Sequence, residues 1–417
     1  MKIAIIGAGW AGLACAIEAT RAGHAVTLIE AARTVGGRAR RVEHAGLALD
    51  NGQHILIGAY RATLALMREV GVDTEAALLR LPLSLRFADG RGLKLPRLPA
   101  PLDLVVGIFR AAGWTWRDKL SLLRTAVGWR IGGFRCAPHA TVARLCAGLT
   151  PRVMRELIEP LCVSALNTPV DCSSGVVFLR VLHDALFSGS GGADLLLPRT
   201  DLGALFPDAA CAWLAERGAT LRTGTRVRHI GPVAGGWQID GAETFDRIVL
   251  ACAPWDAARL ARDAGADTGR WCACTEALRF EGIATLYLRG ATALAEPMLA
   301  LRSDAAAPAQ FAFDRGQLGG PAGLLALVVS ANEAPRETLE AQVLAQAKAQ
   351  LGQTGLSLVQ TVVEKRATFA CTPALARPPM AIARGLSACG DYIDGPYPAT
   401  LEGAVLSGIA CAQDLAA

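Results

Sequence analysis

The chain has 417 residues, 52% hydrophobic and 19% charged, with a formal net charge of +5. That length accommodates two interleaved domains, and no window supplies the roughly 18 uninterrupted apolar residues a membrane-spanning helix needs. The 12 cysteines lack the spacing and histidine partners of a zinc site, so they read as reduced buried thiols and no metal is expected.

The first predicted element is the apolar run 3–6, followed by Gly7-Ala8-Gly9-Trp10-Ala11-Gly12. Good helix formers continue to a stop at Gly23, and Ala25-Val26-Thr27-Leu28-Ile29 then precedes Glu30 and Ala31. Strand, glycine turn, helix, strand and terminal acid at these spacings predict a dinucleotide-binding unit in a Rossmann-like α/β domain. Gly7 permits the tight turn, and Gly9 lets backbone approach a pyrophosphate at the helix N-terminus. Gly12 allows close helix packing, and Glu30 falls where a ribose hydroxyl is held. Because the sequence opens directly on this strand, no cleavable leader is expected, and the cytoplasm follows as the expected compartment.

Past Glu30 comes Gly36-Gly37-Arg38, a doublet that can lie against phosphate with Arg38 as its charge partner. These residues resemble the flavin amine oxidase and carotenoid desaturase superfamily, whose extended fingerprint is the glycine triplet, the acid and then Gly-Gly-Arg. The resemblance implies non-covalently held FAD and an FAD domain interleaved with an α+β substrate-binding domain. Residues 1–80, 195–255 and 370–417 are expected in the first, and 81–194 and 256–369 in the second. Further FAD contacts are implied by the same resemblance. The turn Gly52-Gln53-His54 passes the flavin, and Val227, at the end of a strand-like run over 219–227, meets the adenine through its backbone. Gly390-Asp391 holds the ribitol chain, and Thr400 and Leu401 open a final helix whose N-terminus faces the flavin pyrimidine.

Between these anchors the character of the chain shifts. Residues 97–135 carry seven basic side chains and two acidic ones, interleaved with Trp114, Trp116 and Trp129 in a leucine-rich helical stretch. Tryptophan beside arginine and lysine suits an interfacial membrane anchor over 100–135, and it suits an ordinary substrate-domain helix with tryptophans in a core. No nucleic-acid module is present. Downstream, 283–288 and 324–330 read as strands flooring a pocket, and 336–351 as a helix.

The runs 49–56, 159–169 and 194–199 resemble a narrower family, the squalene-associated FAD-dependent desaturases, now understood as hydroxysqualene dehydroxylases of bacterial hopanoid and squalene biosynthesis. That resemblance implies reductive loss of an allylic hydroxyl from hydroxysqualene, a long isoprenoid. It also implies peripheral contact with the inner face of the cytoplasmic membrane and association with other squalene-forming enzymes. Hydroxide leaves poorly, so a general acid is expected near the flavin. His54 is the candidate, with backbone packing against the flavin as its other reading. Asp394 and Tyr392 are weaker candidates, and Glu402 reads as a first-turn acid complementing its own helix dipole. An oxidative carotenoid-type desaturase and a non-catalytic FAD scaffold share every motif. An amine oxidase is disfavoured because Thr400 stands where those enzymes carry a cage tyrosine.

Overall fold

Residues 3–6 form a strand because they are apolar throughout and enclosed on both faces, Ile3, Ala4 and Ile5 being fully buried, as a central parallel strand requires. The computed structural model describes residues 1–99, 101–187, 189, 191–265, 267–331 and 334–416. In chain order, the elements that build the site begin with β1 (Lys2–Ile6), α1 (Trp10–Arg21), β2 (Ala25–Ile29), β3 (Arg41–His44) and β4 (Leu47–Asp50). Helices α2 (Arg61–Glu69), α3 (Leu102–Arg110), α4 (Trp116–Ile131), α5 (Glu159–Leu166) and α6 (Gly175–Phe187) follow. Then come β5 (Thr220–Arg222), β6 (Arg247–Leu250), β7 (Phe280–Arg289), β8 (Met298–Ala300), β9 (Phe311–Asp314) and β10 (Leu324–Ser330). The chain closes with α7 (Arg336–Leu351), β11 (Ser357–Phe369), β12 (Ala381–Ala383), β13 (Leu386–Ala388) and α8 (Leu401–Ala416).

A six-stranded sheet has the order β5-β2-β1-β6-β13-β12, parallel except for the antiparallel edge strand β12. It draws strands from both ends and the middle of the chain, so the glycine turn after β1 opens beside β6 and β13. Helix α8 lies against α1 so closely that a Cβ on Gly408 would stand 2.2 Å from the Ala11 carbonyl oxygen.

A second, antiparallel sheet has the order β8-β9-β10-β7-β11. On one face, alternate residues Leu325, Leu327 and Val329 of β10 pack with Leu339 and Val343 of α7. On the opposite face Val328, Phe311 and Phe313 turn into the main cavity of the protein. The strands expected over 283–288 and 324–330 and the helix over 336–351 are all present.

One expectation fails here for an identifiable reason. The strand expected over 219–227 stops at Arg222, because the amides of Gly224 and Thr225 turn to the carbonyls of Ala32 and Glu30, following the loop after β2. The three tryptophans of 100–135 do not share one face. Trp114 is buried and its Nε1 donates to Glu156 Oε2 at 2.8 Å, Trp129 lines the cavity, and Trp116 alone is exposed. Among the described residues no helix is long and apolar enough to cross a membrane.

Candidate functional site

The glycine turn ends β1 in a conformation that a side chain would oppose. Gly7 has φ +115°, and a Cβ there would stand 2.5 Å from the Ala251 carbonyl oxygen of the chain leaving β6. The turn places Gly9 at the N-cap of α1 with no side-chain cap, leaving the first-turn amides directed at whatever fills the cavity. Gly36-Gly37 closes over it: the Gly36 amide donates to the Ala8 carbonyl at 2.8 Å, and Gly9 and Gly36 form a parallel bridge. Glu30 is fixed at two points, accepting from the amides of Ala8 and Ala32 at 2.8 Å each.

On the far side Arg38 reaches across 353 residues of sequence to Asp391, Nη2 to Oδ1 at 2.5 Å, and its Nη1 donates to the Ala367 carbonyl at 2.7 Å. Arg38, expected as the charge partner of phosphate beside the glycine doublet, lines the cavity with its guanidinium paired to Asp391. Thr400 caps α8 with its own hydroxyl, accepting from the Gly403 amide at 3.0 Å.

One cavity of about 930 Å³ connects these parts, at the upper end for small-ligand sites. Gly7, Gly9, Trp10, Ala11, Glu30, Ala31, Gly37 and Arg38 line it, as do Gly52, Gln53, His54, Val227, Gly390, Asp391, Thr400 and Leu401. Gly12 is the exception: a Cβ there would meet the Gly7 carbonyl oxygen at 1.9 Å, so this glycine serves packing inside the turn and does not face the cavity. Uncapped amides, a close-approach turn, an anchored acid and a second carboxylate at the opposite end fit FAD.

Beyond the cradle the cavity is walled by apolar side chains of α3, α4, α6 and the second sheet, among them Ile108, Leu122, Trp129, Leu182 and Phe313. A π-helical turn, Met154–Ile158, runs into α5 and sets Leu157, Ile158 and Leu161 into the same wall. Helix α5 ends at Asn167, whose left-handed backbone (φ +46°) holds a buried carboxamide in the lining, with Nδ2 donating to Thr368 Oγ1 at 2.9 Å. Asn167 and Glu364 were missed as cavity residues by motif reasoning. The only sequence signal for Asn167 is an asparagine ending an apolar helix just before Thr168-Pro169.

The titratable groups sort by environment. Burial pushes the His54 imidazole down to about 4, so the ring is neutral near pH 7, and its Nδ1 contacts the Gly52 carbonyl at 3.3 Å. Burial raises the Asp50 carboxyl to about 6, opposed by Arg315, whose Nη2 lies 3.6 Å from Oδ2. Tyr392 lines the cavity with its hydroxyl buried, and burial raises its phenol well above the ordinary value. Asp394 is corrected as a catalytic candidate: its side chain is 75% exposed, it pairs with Arg377 at 3.3 Å, and it does not line the cavity. Glu402 stands in the first turn of α8, as expected, and serves a second helix too. It is buried and caps α2, accepting from the amides of Ala62 and Thr63 at 2.9 Å and from Thr63 Oγ1 at 2.6 Å. Among the described residues no group of three His, Cys, Asp or Glu side chains is placed to hold a metal ion.

Comparison with known proteins agrees with this geometry. The family model of flavin containing amine oxidoreductases matches residues 10–416. The chain is 30% identical to the hydroxysqualene dehydroxylase of Rhodopseudomonas palustris, over 97% of this chain and 96% of that protein. It is 27% identical to the hydroxysqualene dehydroxylase of Sinorhizobium fredii, over 98% and 96% of the two chains. An oxidoreductase from Methanosarcina mazei superposes with a TM-score of 0.74 at 18% identity, covering 99% of this chain and 100% of the other.

Proposed function

The chain belongs to the flavin-containing amine oxidoreductase family and is an FAD-dependent oxidoreductase, and on that premise we propose that it reductively removes the allylic hydroxyl of hydroxysqualene to give squalene. The observation that carries this reading is the continuity of the FAD cradle with a long apolar extension in one cavity. A hydrocarbon chain is bound by such walls mainly through burial, at about 25 cal/mol per Å² of apolar surface. The hydroxysqualene dehydroxylases that resemble this chain over its length supply the substrate class.

The balance of the reaction is one hydride to carbon and one proton to the departing oxygen, so hydroxysqualene and reduced FAD give squalene, water and oxidised FAD. Bound FAD supplies the hydride. The protein's part is to hold the allylic carbon against the cofactor and to keep water out of the apolar extension, where a cation formed as the hydroxyl leaves would otherwise be trapped. We place Glu30 and Asp391 on the cofactor's ribose and ribitol hydroxyls, and the α1 amides on its pyrophosphate. We place His54 beside the departing oxygen as the group that gives it a proton. Its protonated form is a strong acid, scarce near pH 7.

Anaerobic incubation of the reduced holoenzyme with hydroxysqualene tests the reading. Squalene is expected by mass spectrometry, in step with reappearance of the oxidised flavin spectrum. No squalene from fully reduced, FAD-replete enzyme overturns it.

A further inference from the structure

Helices α3 and α4 are apolar on two opposite faces. The inward face is accounted for, since Leu104 and Ile108 of α3 and Leu122, Ala126 and Trp129 of α4 line the cavity. The outward face is not. On α4, Trp116, Leu120, Val127 and Ile131 recur at helical spacing on the opposite side and are 72%, 55%, 48% and 83% exposed. On α3, Leu102 and Phe109 do the same, and Phe109 meets Trp116 edge to face at 5.9 Å. Half of the large exposed hydrophobic side chains among the described residues therefore fall between Leu98 and Ile131, a concentration foreign to a surface that meets only water.

Cations frame this stripe. Arg117 and Arg124 flank it along α4, and Arg110 stands at the end of α3; none of the three makes an ion pair among the described residues. Lys119 is held over the Trp116 ring at 5.5 Å, its Nζ donating to the Phe109 carbonyl. The acids of the segment are engaged locally: Asp118 is buried in the capping box with Thr115, and Asp103 accepts from the Leu104 amide. The outer and inner apolar faces meet at the end of α4. Within three residues the chain passes from Ile131, which is open to solvent, to Phe134, which lines the cavity from a left-handed backbone (φ +54°) against His183 of α6.

We propose that the outer faces of α3 and α4 dock on an anionic lipid bilayer, apolar stripe in the hydrocarbon and flanking arginines at the headgroups, and that the cavity is loaded from the bilayer past Phe134. The loading part rests on the proposed isoprenoid substrate; docking does not. The occupant is a lipid surface because an unneutralised cationic rim around an aromatic and aliphatic stripe is complementary to anionic headgroups over acyl chains.

The test is co-sedimentation of the FAD-loaded full chain with phosphatidylglycerol–phosphatidylethanolamine vesicles, against phosphatidylcholine vesicles and at low and high salt. Binding is expected to the anionic vesicles and to weaken with salt. Trp116→Ser, Leu120→Ser and Ile131→Ser should each reduce partitioning on the order of tenfold, with FAD content and turnover of detergent-dispersed substrate unchanged. Turnover of substrate embedded in vesicles should fall in parallel. Trp114→Phe, altering the buried tryptophan, should leave vesicle binding intact. Absence of binding by the wild type, or binding indifferent to the three serine variants, overturns docking. A concentration-dependent dimer that those variants abolish, without vesicle binding, overturns it in favour of a second copy of the chain. Docking without squalene formation would leave this inference standing and remove the substrate reading alone.

Discussion

At the scale of single residues, what mattered was environment, and environment is what a motif does not carry. His54 was visible as an imidazole in a turn near the flavin, but its neutrality follows from burial in a cavity built by remote elements. A consequence can be measured. The folded-state value of about 4 lies below the ordinary value for an unfolded histidine, about 6.5, so between these values the unfolded chain binds the extra proton. Stability contributed by the neutral ring is therefore complete above about pH 6.5 and is lost as pH falls towards 4, by up to about 3 kcal/mol. His54→Gln should flatten that part of the urea-unfolding profile between pH 7.5 and pH 4.5 while keeping a hydrogen-bond acceptor in the cavity. An unchanged slope in the variant would show that His54 titrates normally. Glu402 makes the same point from the other side: a first-turn acid suggests service to its own helix, yet its carboxylate caps α2. Nothing local in the sequence says that α2 will arrive there.

At the scale of elements, the legible parts were those whose pattern is enforced locally. The β1–α1–β2 unit is dictated by glycine geometry and by an apolar strand, and alternation in β7 and β10 is dictated by a sheet with two different neighbours. Helix α4 was legible as a helix but its facing was not, because both of its faces are apolar and the periodicity cancels. Only the fold separates Trp129 on the cavity side from Trp116 on the solvent side. The contact between α8 and α1 was equally hidden, since Gly408 looks like any glycine in a helix. Replacing it with alanine sets a methyl 2.2 Å from the Ala11 carbonyl oxygen, which belongs to the turn that opens the cofactor site. Gly408→Ala should destabilise by about 2 kcal/mol and lower the ratio of flavin to protein absorbance after purification. Gly128→Ala, in α4 with no atom within 4 Å of its Cβ, should instead stabilise by a few tenths to about 1 kcal/mol. Equal midpoints for the two variants in chemical denaturation would refute the close packing of α8 on α1.

At the scale of the whole molecule, the cofactor site is where the two sheets are joined. From the second sheet, the Tyr287 hydroxyl donates to the Asp50 carbonyl at 2.9 Å and accepts from the Asp50 amide at 3.0 Å and from Gln53 Nε2 at 2.9 Å. Arg315 adds a contact to Gln53 Oε1 at 3.2 Å, and Asn51 Nδ2 donates to Glu364 Oε2 of β11 at 3.1 Å. Arg38, between the glycine turn and Asp391, also holds the carbonyl of Ala367 in β11. These links cluster on the segment 50–54 and on Arg38, and residues 51–54 and Arg38 line the cavity, so FAD in the cradle should stiffen the same seam that unites the sheets. Bound ligand stabilises by mass action, about 2.7 kcal/mol at a free concentration a hundredfold above Kd, so the thermal midpoint should rise with added FAD as one cooperative transition. Tyr287→Phe removes one donor and one acceptor from a buried seam, a loss of about 1–3 kcal/mol. In that variant the flavin-environment signal and the far-ultraviolet signal of the strands should cease to coincide on heating, because the cradle can open before the second sheet unfolds. A wild-type midpoint indifferent to FAD, or coincident transitions in Tyr287→Phe, would mean that the sheets are held together elsewhere, and that the cavity is a consequence of their packing and not the place where it is secured.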